Sequence, residues 1–591
     1  MKDFFKFMFA SMLGTLIMSV ILFFIFMGIV ASFATMMEKE ETKIADNTLL
    51  HIELNTPVND RAPKEPFSDF DFATMETRTT LGLNDILKNL DKAARDPKIK
   101  GIYLDLTSLS AGMATIEEIR DAIVKFKQSG KFVFAYSETY SQGAYYLAST
   151  ADKIYLNPEG MIDFRGISAE LMFFKGTIEK LDAEMQIIRH GKYKSAVEPF
   201  MLDKMSDENR EQMMALIDGI WNTMLGGISE SRGISTSELN NIADGLLIKT
   251  PEDAVKLKFI DGLKYKDEIL TELKEKLGVE KDDDIKTVSL AKYTMAADPN
   301  PTKPDRKNKI AVVYALGEIG SGEGSDESIG SERISKAIRK ARTDDKVKAI
   351  VLRVNSPGGS ALASDAILRE VKLAVKEKPV VVSMGDVAAS GGYYISCAAS
   401  KIFADRSTIT GSIGVLGIIP NLEKTMKEKL GITFDYAMSN ENANFMSINR
   451  PLTPYQREVI QGYIEDVYST FVSHVSKGRN MTSDKVDAIG QGRVWIGSDA
   501  KGINLIDEFG GLTEAIEAAK ELANLTTYSI KDLPEQEDPF EKILNDIFGN
   551  ASIDHRLKSE LGDNYRLYQY LKFWKEATGV QARMPFDVNV R

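Results

Sequence analysis

Between residues 309 and 403 the apolar positions follow two rhythms. "KIAVVYAL" (309–316), "VKAIVLRVN" (347–355) and "KPVVVSMG" (378–385) are short continuous runs rich in β-branched residues, the pattern of strands buried on both faces. "ERISKAIRKARTD" (332–344) and "SDAILREVKLAVKE" (364–377) instead carry apolar residues three and four apart, the pattern of helices with one buried stripe. The segment after Ser390 reads as a further helix. Strands alternating with helices predict an α/β fold with a largely parallel sheet.

The N-terminus has neither rhythm. From Phe7 to Met37 no residue is charged, and about 20 apolar residues suffice to cross a bilayer as a helix. Lys2 and Lys6 precede the run, and Glu38, Glu40 and Glu41 follow it. The positive-inside rule then predicts a cytoplasmic stub and one transmembrane anchor in residues 1–40, with the rest of the chain exported. A cleaved leader is the competing reading, with "SFA" (32–34) as its cleavage site. The run is about twice the usual 7–15-residue apolar core of a leader, which favours an uncleaved anchor.

The body repeats itself. "DPKIKGIYLDLT" (96–107) matches "DDKVKAIVLRVN" (344–355), 248 positions later. The same offset lays "FVFAYSETYSQGAYYLASTADKIY" (132–155) on "VVVSMGDVAASGGYYISCAASKIF" (380–403) without a gap. Two separated blocks in one register indicate tandem duplication. The aperiodic, proline- and charge-rich stretch 291–309 marks the boundary, giving halves at 45–295 and 306–530. In 531–591, "DPFEKILNDIFG" (538–549) and "NYRLYQYLKFWKEA" (564–577) read as amphipathic helices outside the repeat, suited to capping the fold or to assembly.

Length, charge and cysteine content narrow the function. At 591 residues the chain exceeds what one core supports. Its net charge of -12 disfavours nucleic-acid binding, which needs basic surface. One cysteine, Cys397, leaves no intrachain disulfide and no multi-cysteine zinc site.

Candidate chemistry lies where the halves differ. Ser390, in "DVAASGGYY" (386–394), falls opposite Gln142, and the glycine-rich "NSPGGS" (355–360) falls opposite "TSLSAG" (107–112). A serine at a strand-to-helix turn exposes its hydroxyl, and the next amide sits at a positive helix end. The amides of Gly391 and of Gly359 or Gly358 are thereby suited to holding the oxygen of a tetrahedral intermediate. On its own, "NSPGG" reads equally as a type II turn; the company of Ser390 is what points to an oxyanion.

A serine nucleophile needs a base. The four histidines, His51, His190, His474 and His555, sit in no triad motif. Lys194, in "GKYKSAVEP" (191–199), is followed by small and apolar residues, and burial lowers a lysine from about 10.4 toward the 7–8 useful to a base. A solvated lysine in a basic loop with Lys192 is the plainer alternative. Aligning "MSDENRE" (205–211) with "LTPYQRE" (452–458) puts Lys194 opposite Glu441, so each half keeps one piece that the other lacks. That reciprocity points to one composite site shared by the halves.

"NSPGG", "DVAASGGYY", "TGSIGV" (410–415) and "YKSAVEPF" (193–200) together resemble the signal peptide peptidase A (protease IV) family in its long, duplicated form. The resemblance implies the fold shared by crotonases and the Clp peptidase subunit, built of ββα repeats. It also implies a serine endopeptidase with Ser390 as nucleophile, Lys194 as general base, Gly359 and Gly391 in the oxyanion hole and Ser412 orienting the lysine. No metal or cofactor is expected. A membrane-anchored homotetramer is implied, on the extracytoplasmic face of a bacterial inner membrane, degrading remnant signal peptides. The rival readings are a crotonase-like acyl-CoA enzyme and a non-catalytic scaffold.

Overall fold

The computed structural model describes residues 2–37, 42–62, 70–71, 76–77, 81–300, 305–536 and 580–584. The two helices expected at 538–549 and 564–577, like His555, lie outside the described residues.

Each half is built on a parallel sheet flanked by helices. In the first, the order is Gly262–Leu263, Lys153–Ile162, Phe132–Tyr140, Ile99–Leu109, Thr48–Leu54 and Thr287–Ser289. In the second, the strands Ser529–Leu533, Lys309–Leu316, Val347–Ser356, Val380–Ala389 and Ile409–Gly411 run parallel, and Val494–Ile496 closes the edge antiparallel. The apolar runs read as strands are these buried central strands; Val347, Ala349, Ile350, Val351, Leu352 and Val354 have no exposed surface. The amphipathic segments become the helices Ser331–Thr343 and Ala361–Val375, each burying its apolar stripe.

The duplication extends to individual hydrogen bonds. Tyr145 Oη donates to the Phe259 carbonyl at 2.8 Å and Tyr393 Oη to that of Leu505 at 2.9 Å. Lys131 Nζ donates to the carbonyls of Ala93 and Asp96, and Lys378 Nζ to those of Ala341 and Asp344. A buried polar tip that satisfies a loop carbonyl fixes that loop against the sheet, and both halves kept the device.

Two features join the halves. Arg353, fully buried on a central strand of the second sheet, pairs with Asp60 and Glu118 of the first half. Beside it, Thr115 donates through its backbone N–H and hydroxyl to Asp386, and Ser407 does likewise to Glu117. Burial pushes Glu117 and Glu118 up to about 7. The second feature is a third sheet in the order Ile329–Gly330, Ile319–Gly320, Gly358–Ser360, Val580–Arg583, Val415–Asn421 and Glu184–His190. Its last strand comes from the first half and pairs antiparallel with Val415–Asn421 over seven residue pairs. The described piece of the tail, Val580–Arg583, is a strand in the middle of this sheet.

Residues Lys2–Met37 form one helix, with Phe7, Phe9, Met12, Leu13 and Leu16 among its exposed side chains. Among the described residues, no helix is long and apolar enough to cross a membrane.

Candidate active site

Ser390 ends the strand Val380–Ala389 and precedes the short helix Gly391–Ser396. Its backbone lies at φ 54, ψ -113, where a side chain is strained, and its N–H is held by the Gly411 carbonyl at 2.8 Å. The sharp turn aims Oγ away from the sheet and leaves the Gly391 amide in the first helical turn, whose N–H groups have no intrahelical acceptor.

Lys194 reaches Ser390 from the other half. The strand Glu184–His190 carries the chain onto the third sheet, and the Tyr193 N–H then donates to the Gln491 carbonyl at 3.0 Å. Glycine at 492 permits the close approach, because a Cβ there would lie 2.7 Å from Lys194 Cβ. Lys194 Nζ lies 2.8 Å from Ser390 Oγ, 3.0 Å from Ser412 Oγ and 3.2 Å from the Ser412 carbonyl. All three residues are fully buried. Burial alone holds the Lys194 amine well below the usual lysine range. An amine whose burial disfavours its charged form, in contact with a hydroxyl, can accept that hydroxyl's proton.

The structure therefore brings Ser390, Lys194 and Ser412 together within one chain. Ser412 also sits at positive φ, its N–H held by the Arg493 carbonyl at 2.7 Å. Gly359 is placed differently from Gly391. It is registered against Ala582 on one side and Ile319 on the other, and a Cβ there would lie 2.1 Å from the Ile319 oxygen. Gly358 opens the strand, its N–H 3.2 Å from Ser356 Oγ.

The histidines serve elsewhere. His190 contacts Glu465 at 2.6 Å and stacks on Tyr468, while His474 contacts Asp365 at 3.1 Å. Glu441, set opposite Lys194 by sequence, lies exposed in a turn of the second half. Sequence reasoning missed the carbonyls that fix Ser412 and the tail strand beside Gly358–Ser360. The first is a backbone feature with no residue signature, and the second is a four-residue strand in an otherwise helix-like tail. His51, Glu53 and Asp105 bring three possible metal-ligand atoms within 4.8 Å of one another, but Lys266 already places its ammonium 2.9 Å from Asp105. This cluster belongs to the first sheet and shares no described hydrogen bond with Ser390 or Lys194.

The profile of Peptidase family S49 matches residues 125–280 and, a second time, 372–526. The chain belongs to peptidase family S49. It is 39% identical over 456 residues to Protease 4 of Haemophilus influenzae, covering 74% of this chain and 73% of that protein. With Protease 4 of Salmonella typhi the identity is 37% over 479 residues, 79% of this chain and 76% of that one. With the chloroplastic serine protease SPPA of Arabidopsis thaliana it is 36% over 509 residues, 85% and 74% of the two chains. A Clp protease profile also matches residues 316–410. This S49 chain is a serine peptidase of duplicated α/β architecture, which sets aside both the acyl-CoA enzyme and the inert scaffold.

Proposed function

We propose that this S49 peptidase cleaves peptide bonds through a Ser390/Lys194 dyad. The observation that carries the reading is the 2.8 Å contact between a fully buried amine and the hydroxyl of a strained serine. Neutral Lys194 takes the proton from Ser390 Oγ as that oxygen bonds to the substrate carbonyl carbon. The new oxyanion is met by the Gly391 amide and by that of Gly359 or Gly358 in the neighbouring glycine loop. Lys194, now an ammonium, gives its proton to the departing amine as the C–N bond breaks. Water, deprotonated by Lys194, then splits the acyl-enzyme, and Ser390 recovers its proton. Ser412 keeps the amine directed at Ser390 throughout. Hydrolysis of quenched fluorescent peptides by wild type, Ser390→Ala and Lys194→Ala tests this. Full activity in either variant would refute it.

The uncharged run Phe7–Met37 supports an anchor in a bacterial inner membrane, with the peptidase body on the extracytoplasmic side. Anchored there, the enzyme would meet apolar remnant signal peptides. Extraction of the full chain by alkali without detergent would remove the anchor from the account. Preference for charged peptides over leucine- and alanine-rich ones would remove the substrate.

Assembly of several copies has support in two unpaired segments. By the repeat offset, residues 432–438 correspond to the strand Glu184–His190, and residues 167–173 to its partner strand Val415–Asn421. Neither corresponding segment is a strand here, and in a stretch exposed throughout, Leu430, Ile432, Phe434, Tyr436 and Met438 place a large apolar side chain at every second position, a strand pattern. Pairing 432–438 of one copy with 167–173 of the next would repeat the internal junction head to tail, a contact that forms a ring such as a homotetramer where the rotation closes. A Phe434→Glu variant with the same oligomer mass as wild type by light scattering would contradict this pairing.

A further inference from the structure

Lys194 needs more than burial to stay opposed to Ser390, because it sits on a loop contributed by the other half. Directly behind that loop lies Gln212, a fully buried residue of the helix Asp207–Arg232. Its Nε2 donates to the Tyr193 carbonyl at 3.1 Å and to Ser195 Oγ at 2.7 Å, the residues on either side of Lys194. A third contact, at 3.2 Å, reaches Asn209 Oδ1. On its other side Oε1 accepts from the Val494 N–H at 3.2 Å. Val494 begins the strand beside Ile409–Gly411, and the preceding Arg493 supplies the carbonyl that holds Ser412. One carboxamide thus ties the lysine loop of the first half to the strand that locates Ser412 in the second.

The repeat shows what the residue is for. In the alignment of 205–211 with 452–458, both helices begin with a hydroxyl N-cap, Ser206 and Thr453, and share the pair Arg-Glu. The next residue is Gln212 in the half that has the lysine and Val459 in the half that does not. The fold accommodates an apolar side chain at this point when there is no lysine to place.

We propose that Gln212 is a positioning residue for catalysis, setting the register of Lys194 against Ser390 and Ser412; this rests on the Ser/Lys reading above. Replacing it by methionine, of similar length, leaves the Tyr193 carbonyl and the Val494 N–H without these partners and frees the loop to shift. A shift of about 1 Å at a reacting group costs on the order of 100-fold in rate. A loosened loop also admits water to the amine, which raises its pKa toward that of free lysine.

The test is steady-state peptide hydrolysis by the full-length, detergent-solubilised enzyme between pH 5 and 10. Wild type, Gln212→Met, Gln212→Glu and Lys194→Ala are compared. Gln212→Glu keeps the acceptor for Val494 and loses the donors; where Gln212→Met does not fold its kcat supplies the reading, since a nearby carboxylate moves the limb by its own charge. The expected result for either variant is a kcat lower by about 10- to 100-fold with KM within about twofold of wild type. The rising limb of the profile moves to higher pH, and the protein stays fully folded at the assay temperature, though its melting temperature is lower. An unmoved limb with wild-type kcat, or a fall in kcat that only tracks the fraction folded, overturns the positioning role. If Lys194→Ala is as active as wild type, the dyad reading itself falls. Loss of activity in Lys194→Ala beside a wild-type profile in Gln212→Met refutes the Gln212 role alone.

Discussion

The two halves share a sheet, helices and loop-fixing bonds, yet they treat one position in opposite ways. In the second half, Ser390 is held at φ 54 and ψ -113 with its hydroxyl facing the buried amine of Lys194. In the first half the same turn is relaxed. Ser141, at φ -69 and ψ 164, is an ordinary N-cap accepting from the Ala144 N–H at 3.3 Å. Gln142, opposite Ser390 in the repeat, turns its side chain onto the backbone of the following loop. Its Oε1 accepts from the N–H groups of Arg165 and Gly166 at 2.9 Å each, and its Nε2 donates to the Gly166 carbonyl at 3.0 Å. Those residues correspond to Ile413 and Gly414, and buried Phe164 stands where the other half has Ser412. A carboxamide bonded to backbone and a phenyl ring packed on Tyr145, Trp221 and Phe259 stand at the positions where the other half has two hydroxyls. At this turn the backbone strain, which costs about 1–3 kcal/mol, was kept in the half that carries the proposed nucleophile and is missing from the other.

The comparison is broken most severely by removing its active side. Ser390→Ala and Lys194→Ala are each expected to lower kcat for a peptide substrate at least about 1,000-fold, because nucleophile and base act as one unit. The double variant falls no further than either single one; additive losses would separate the two roles. Ser412→Ala, which removes one of three contacts to the amine, is expected to cost about 10- to 100-fold in kcat, with substrate binding unchanged.

Stability should move the other way. A lysine whose folded pKa is depressed binds fewer protons folded than unfolded, so its contribution is favourable only above the unfolded value of about 10.4 and is lost as pH falls. Lys194→Met removes that penalty, and its melting temperature at pH 7 should exceed that of wild type by several degrees. An equal or lower melting point would mean the amine is charged in the folded protein. Glu117 and Glu118 at the junction have the opposite sign. Raised to about 7 by burial, they favour the folded state below the unfolded carboxylate range, and that contribution is lost as pH rises through about 7. Glu117→Gln should flatten the change in melting temperature between pH 5 and 8. The smallest effect is expected from Gln142→Ser. Activity stays within about twofold of wild type, and with Ser390→Ala it creates no new labelled serine, because none of the described hydrogen bonds at that turn brings in a lysine.

Much of this was legible in the chain. Continuous apolar runs gave the central strands because parallel strands are covered on both faces, and the fixed offset exposed the duplication. Ser390 stood out by contrast with Gln142, and Lys194 by its apolar flank. What stayed hidden depends on long-range backbone placement. The strand Glu184–His190 reads as part of the first half, but its partner is Val415–Asn421 in the second, and that crossing delivers Lys194. Gly358 and Gly359 look interchangeable in "SPGG", and nothing in that motif tells of their different neighbours, Arg583 for the first and both Ala582 and Ile319 for the second. Arg353 reads as a polar interruption in a strand, and its partners Asp60 and Glu118 lie more than 230 residues away.

The most direct test of a neutral-lysine dyad is the rate of fluorophosphonate labelling as a function of pH, measured between pH 5 and 10 on wild type and Lys194→Ala. The rate for wild type should rise through a single ionisation whose midpoint lies well below about 10.4, and the limb should vanish with the lysine. A wild-type midpoint at the free-lysine value, or a Lys194→Ala variant that labels as fast along the same limb, would show that Lys194 is not the base that activates Ser390.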